Sequence, residues 1–168
     1  MTISRRTLLG GVLAAPFLAG CTQPQARLLA YHGPPVTGVV VHKAARRMLV
    51  LSGGSVLCEH RVDLGSNPVG PKRWEGDGRT PEGLYMVDKR NPRSQYHLSV
   101  GISYPNAEDL AYAAALGRPP GGDIFFHGTP PEERRGTDWT AGCMAVSNRE
   151  IEELYAMLRD GTPVQITP

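Results

Sequence analysis

The chain has 168 residues, 40% of them hydrophobic and 20% charged, an ordinary balance for one soluble globular domain. The formal charge of +2 rests on Arg5 and Arg6, at the head of an N-terminal segment expected to be removed. Without them bases and acids balance, which removes any charge argument for nucleic-acid binding. Twenty glycines and 15 prolines favour short elements and many turns, hence a β-rich fold over a helical bundle.

The N-terminus carries a short basic region, an apolar run from Gly10 to Gly20, and then Cys21. This is the layout of a secretory signal, with an apolar stretch too short to span a membrane as a mature helix. Ser4-Arg5-Arg6-Thr7-Leu8-Leu9 resembles a twin-arginine export signal, although an ordinary secretion signal shares the same plan. Leu18-Ala19-Gly20-Cys21 resembles a lipobox, which implies acylation of Cys21 and anchoring at the periplasmic face of a membrane through buried acyl chains. Residues 22–35 are polar and proline-rich and read as a flexible tether. The expected organisation is therefore an export signal over 1–21, a tether over 22–35 and a domain over 36–168.

Within the domain, Gly38–His42 reads as a β-branched strand and Met48–Leu51 as a second. The turn Ser52-Gly53-Gly54-Ser55 then leads into a strand over Val56–Leu64. Gly65–Thr80 is a long loop, Leu84–Val87 and His97–Ile102 are strands, and Ala107–Leu116 is a short helix closed by Gly117. Asp123–His127 is an apolar strand ending in a histidine, and Cys143–Val146 is a short buried run. A final helix starts at Ser147, where Glu150 completes a capping box, and buries Ile151, Leu154, Tyr155 and Leu158 on one face. A strand over Pro163–Ile166 closes the chain. The fold class is α+β: a mostly β domain with one or two packed helices. The Cys and His spacing is not of a metal-binding type, and no cofactor is called for.

Two residues stand out chemically. A cysteine attacks carbonyls as its thiolate, so it needs a base and access. Cys143 follows Gly142, whose missing side chain permits close backbone approach, so that the amides of Gly142 and Cys143 can face a developing oxyanion. His127 ends its strand just before Gly128, which exposes an imidazole at a sheet edge. A Cys58–Cys143 disulfide is disfavoured, because Cys58 reads as a small apolar residue on one face of a strand.

His127-Gly128-Thr129 followed by Thr140-Ala141-Gly142-Cys143-Met144 resembles the His-Gly…Ser-x-Gly-Cys signature of the L,D-transpeptidase catalytic-domain (YkuD-like) family. Gly76-Asp77-Gly78-Arg79-Thr80-Pro81-Glu82-Gly83-Leu84-Tyr85 is similar to that family's Gly-Asp-x-x-Thr-Pro-x-Gly-x-Tyr segment, with Lys72 just upstream. The stretches His97–Asn106 and Pro120–His127 resemble a periplasmic branch. The resemblance runs from about Val39 to Ile166 and implies an L,D-transpeptidase-like mixed β-sandwich acting on peptidoglycan stem peptides. It implies Cys143 as nucleophile and His127 as base, the Gly128 backbone carbonyl as the third member, and the Gly142 and Cys143 amides as oxyanion hole. Thr140 stands in place of the usual Ser.

Many members of that family have Arg two residues beyond the nucleophile. Here that position is Ala145, so the role is unfilled or passes to another base such as Arg149. Transfer to an amine and hydrolysis, including cleavage of a wall-linked lipoprotein from peptidoglycan, both remain open on this motif, as does a wall-binding lipoprotein without catalysis. His97, Thr140, Trp139 and Arg149 are weaker candidates for substrate contact. Asp77, between two glycines, reads as a turn residue rather than an acid catalyst. Glu132–Arg135 reads as a solvated loop face that could cover the site.

Overall fold

The computed structural model describes residues 26–168. The export signal, Cys21 and the first residues of the tether lie outside the described residues.

The strands are β1 (Gly38–His42), β2 (Arg47–Ser52), β3 (Ser55–Arg61), β4 (Gly83–Asn91), β5 (Ser99–Ile102), β6 (Phe125–His127), β7 (Met144–Ala145) and β8 (Pro163–Thr167). Helices α1 (Ala107–Ala115) and α2 (Asn148–Met157) complete the domain. The eight strands form one mixed sheet in the order β3-β2-β1-β8-β4-β5-β6-β7. This is the expected mostly β, α+β class.

Alternation explains the first strands. Val39 and Val41 of β1 and Met48 and Val50 of β2 point inward, and the residues between them are more exposed. Gly53 and Gly54 both take positive φ (55° and 87°), which gives the two-residue β2–β3 turn its hand. The closing strand β8 enters the middle of the sheet, parallel to β1 and antiparallel to β4. Strand β4 serves two neighbours: Gly83–Met86 pair with β8 and Val87–Asn91 with β5, with an irregularity between Val87 and Lys89. The sheet changes direction there.

Three expected strands are shorter than their sequence suggested, one of them β6, which begins only at Phe125. β3 ends at Arg61, because the next residues leave β2 and cross to β7, where Asp63 and Ala145 exchange both backbone hydrogen bonds (2.9 and 2.8 Å). Further bonds join Thr140 N–H to Leu64 O and Ser66 N–H to Thr140 O. The chain leaving one sheet edge thus touches the other, and the layers of the expected sandwich are parts of one sheet curled around the core. β5 begins only at Ser99, since His97 sits at φ 74°.

The helices form as their caps predict. The Ser147 hydroxyl accepts the Glu150 N–H and Glu150 reaches back to the Ser147 N–H. Ile151, Leu154 and Leu158 are fully buried against the core, while Tyr155 is partly buried, and α2 packs across β5 and β6. Asn106 and Asp109 form the equivalent capping box on α1.

The loop over 65–80 is held at two points. The Lys43 ammonium, only 2% exposed, donates to Gly70 O, Thr80 O and Glu82 Oε1. The Asp77 carboxylate accepts from the backbone N–H groups of Arg73, Trp74 and Arg79 and from Lys72 Nζ. Asp77 is thus the turn residue the sequence indicated.

The described part of the stretch expected as a tether, from residue 26, touches the domain at its start. Ala26 packs on the core, and the Arg27 N–H donates to Glu152 Oε1 at 2.9 Å. Most of the stretch is otherwise exposed, Leu28 at 66% and Leu29 at 38%. Cys58 and Cys143 are both free.

Candidate active site

Strands β6 and β7 bring the two chemical residues together. They run parallel with Phe126 opposite Met144 and His127 opposite Ala145. Cys143 lies two residues before Ala145, so it falls on the same face as His127, displaced by one pleat. The sequence gap of 16 positions is spanned by the loop 128–142, which leaves β6 and returns to β7.

Both side chains line one cleft of about 460 Å³. Phe125, Ser99 and Asp123 line it as well, and Asn91, Arg93, Ser94, Gln95 and Tyr96 form one rim. The rim is the connection between β4 and β5.

The imidazole is held on three sides. Its Nδ1 lies 2.7 Å from Gly128 O. A carbonyl can only accept, so the proton sits on Nδ1 and the Nε2 lone pair remains available. Tyr96 stacks on the ring (centroids 4.5 Å apart, 28° between planes) and Trp139 meets it edge-on at 5.6 Å. The Gly128 N–H donates to Tyr96 O at 2.9 Å, which ties the tautomer-setting carbonyl to the same residue that stacks on the ring. A Cβ on Gly128 would lie 2.3 Å from Asn148 Oδ1 and 2.8 Å from Tyr96 O, so only glycine fits here.

Cys143 is set by its own turn. The Thr140 hydroxyl donates to Cys143 O (2.8 Å) and accepts the Gly142 N–H (3.1 Å). Gly142 has φ 138°, and a Cβ there would lie 2.6 Å from Arg79 O, so the loop 65–80 presses directly on the residue before the nucleophile. The thiol donates to Asp123 O at 3.5 Å. It shares the cleft with His127 but is not hydrogen-bonded to it, as is common in unliganded sites.

The electrostatics describe a neutral resting pair. Burial lowers His127 below its ordinary 6.5, against the opposing effect of the Gly128 carbonyl. Burial raises the Cys143 thiol above its ordinary 9.0 and Asp123 adds to this, while the Phe125 N–H and Lys72 favour the thiolate.

The weaker candidates divide. Trp139 backs the imidazole, with Nε1 buried and unpartnered among the described residues. Thr140 is 4% exposed and shapes the Cys143 turn from below. His97 is corrected from cleft residue to structural partner: its ring pairs with Glu152 at 2.8 Å and does not line the cleft, because its positive φ turns it toward α2. Arg149 is 87% exposed, pairs with Glu153 along α2 and stands away from the cleft, so it does not replace the missing arginine. The oxyanion call is corrected by half. The Gly142 N–H is engaged by Thr140, whose side chain lies under the turn, whereas the Cys143 N–H has no partner among the described residues. Arg135 is not merely solvated: it bridges Glu150 Oε2 and Arg61 O.

Sequence reasoning missed Arg93 and Tyr96. Their signal was the polar stretch between Val87 and Leu98, which a β4–β5 hairpin must place at its tip. Among the described residues, no cluster of three or more His, Cys, Asp or Glu side chains is arranged to hold a metal.

The sequence model of the family described as "L,D-transpeptidase catalytic domain" matches residues 37–166. YafK of Escherichia coli (strain K12) is 29% identical over 102 residues, 60% of this chain and 36% of that protein. Among solved structures, the helical cell shape determining protein Pgp2 from Campylobacter jejuni superposes with a TM-score of 0.61 at 26% identity, over 86% of this chain and 51% of that one. Bd1075 of Bdellovibrio bacteriovorus superposes with a TM-score of 0.59 at 24% identity, over 86% and 53%. The chain thus spans about a third of the curated relative and about half of these solved chains.

Proposed function

The chain belongs to the L,D-transpeptidase catalytic-domain family, and from that premise we propose that it is a peptidoglycan L,D-transpeptidase working through a Cys143 thioester. The observation that carries this reading is the shared cleft in which Cys143 faces an imidazole whose Nδ1 proton is fixed on the Gly128 carbonyl.

In the proposed reaction, the donor is a stem peptide whose scissile amide follows the L-centre of a diaminopimelate residue. His127 Nε2 takes the thiol proton as Cys143 Sγ attacks the carbonyl carbon. The Cys143 N–H faces the resulting oxyanion. The C–N bond then breaks, the imidazolium protonates the departing amine of the D-amino acid, and a thioester remains. An acceptor amine attacks that thioester and gives a proton to His127. The C–S bond breaks, and the sulfur regains its proton from the imidazolium. Burial of both groups suits this sequence, since a neutral imidazole is ready to accept and no charge is held before substrate arrives.

Hydrolysis of a stem-peptide or lipoprotein link is the second reading. It is favoured by Ala145, fully buried where many relatives carry Arg, which leaves the nucleophile turn without that cation. The two readings differ only in whether an amine or water attacks the thioester. Anchoring through an acylated Cys21 on the periplasmic side of a membrane completes the proposal, supported by Leu18-Ala19-Gly20-Cys21. Intact mass of the exported protein tests it, an unmodified Cys21 counting against it.

Tetrapeptide-bearing muropeptides incubated with the protein decide the chemistry. Cross-linked dimers or D-amino acid exchange, read by mass, support transfer, and shortened stems or freed lipoprotein support hydrolysis. Cys143→Ala should abolish either product; turnover that survives the substitution would falsify the nucleophile assignment.

A further inference from the structure

The rim of the cleft carries a cation with no work inside the fold. Among the described residues, Arg93 is the only lysine or arginine lining the cleft. Its guanidinium makes no hydrogen bond or ion pair with the described residues, whereas the neighbouring cations Lys89 and Arg90 are both engaged. Arg90 donates to Leu158 O and Tyr155 O and lies over the Tyr155 ring. Lys89 pairs with Asp123, the one acidic side chain of the cleft, at 3.1 Å.

The base of the Arg93 side chain is nevertheless fixed. Its own N–H donates to Asn91 Oδ1 at 2.9 Å, and the Tyr96 N–H donates to Ser94 Oγ at 3.1 Å, so the tip is a built turn. Tyr96 in turn stacks on the catalytic imidazole. Arg93 therefore lines the same cleft as Cys143 and His127. Neither Ala145 nor Arg149 supplies a cation to this space.

We infer that Arg93 is a specificity-determining residue that pairs with a carboxylate of the donor peptide. A guanidinium engages a carboxylate through two parallel hydrogen bonds, which fixes orientation as well as affinity. The inference rests on the donor-peptide reading of the cleft. In such a donor two carboxylates lie close to the scissile amide: the terminal group of the D-residue and the side-chain group of diaminopimelate. Arg93 binds one of them and so orients the L-centre carbonyl toward the sulfur.

The test measures binding by calorimetry in the Cys143→Ala background, where chemistry cannot consume the donor, and compares Arg93 with Arg93→Gln and Arg93→Lys. The ligands are a stem tetrapeptide with both carboxylates free and two analogues, each amidated at one of them. Arg93→Gln should weaken binding of the free tetrapeptide on the order of 10- to 100-fold. Amidating the recognised carboxylate should weaken the parent by a similar factor, add nothing further in Arg93→Gln, and so identify which group is read. Arg93→Lys should restore part of the loss. In the otherwise native enzyme, Arg93→Gln should alkylate at Cys143 with iodoacetamide at the parental rate.

Equal binding of the free tetrapeptide by parent and Arg93→Gln overturns the inference, as does a loss that persists undiminished on both amidated analogues. Slowed iodoacetamide alkylation also overturns it, since Arg93 would then be shaping the site. In each of these cases turnover of muropeptides by the native enzyme leaves the acyl-transfer reading standing. Absence of both binding and turnover by the folded native protein overturns the reading and the inference together.

Discussion

The wall of the cleft that carries Cys143 and His127 is held almost wholly by backbone. β6 and β7 pair in register, Asp63 locks onto Ala145, Thr140 ties the nucleophile turn, and the Arg79 carbonyl fills the space a side chain at Gly142 would need. The rim, residues 91–96, is a hairpin tip whose side chains are polar, mostly exposed and hydrogen-bonded only locally. The comparison teaches how the labour divides: the wall fixes the atoms that react, and the rim offers side chains free to meet a ligand. Tyr96 belongs to both, since its backbone and ring reach across to the histidine.

Substitutions sharpen this contrast, and the largest effect is expected at the imidazole. His127→Gln should lower turnover and Cys143 alkylation about 10²- to 10⁴-fold with little change in melting temperature. The pH profile gives the sign. His127 accepts a proton only when neutral, and burial lowers its pKa, so the acid limb of kcat/KM should fall below 6.5. The raised Cys143 thiol places any thiolate-driven rise in alkylation above 9.0. A profile already titrating upward at 7 to 8 would break this assignment.

Next comes Asp77, which organises the loop behind the nucleophile. Burial alone would raise its pKa, but three backbone N–H groups and Lys72 more than offset this and hold it below the ordinary 3.8. Such a depressed carboxylate adds stability that is present above 3.8 and is lost as the pH falls through its folded value. Asp77→Asn leaves Lys72 buried and short of its charge partner and should cost about 3–5 kcal/mol in denaturant unfolding at neutral pH. Its stability should also depend less on acid than the parent's.

Gly142→Ala should follow, at about 1–3 kcal/mol. The new methyl would meet the Arg79 carbonyl at 2.6 Å in a backbone conformation that L-residues rarely adopt. A variant of parental stability and activity would show that the wall yields more than its geometry implies. Smallest of all is Arg149→Ala, away from both wall and rim. It loses an exposed pair with Glu153 and should stay within about 0.5 kcal/mol of the parent, with unchanged kinetics.

Much of the wall was legible in the sequence, because its devices are local. A strand ending in His127 before a glycine, a glycine before Cys143, and a Ser147–Glu150 cap each leave a mark within a few residues. The Gly128 carbonyl could be named in advance only because the family resemblance implies it. What escaped was set by partners far along the chain. His97 was drawn away from the cleft by Glu152, 55 residues on. The Gly142 amide was claimed by a hydroxyl whose direction only the folded turn decides. Asp63 crosses from the end of β3 to β7, a closure that shortens a strand and has no signature in alternation. Arg93 and Tyr96 sit in a turn without a motif, and only the pairing of β4 with β5 reveals what they face.

The bond from the Cys143 thiol to the Asp123 carbonyl has a consequence for survival between turnovers. Peroxides react with the deprotonated sulfur far faster than with the protonated one, and the first product on that path is a sulfenic acid. A sulfur that idles as a protonated hydrogen-bond donor is a poor target for oxidants, and its reactivity is released only when the histidine takes that proton.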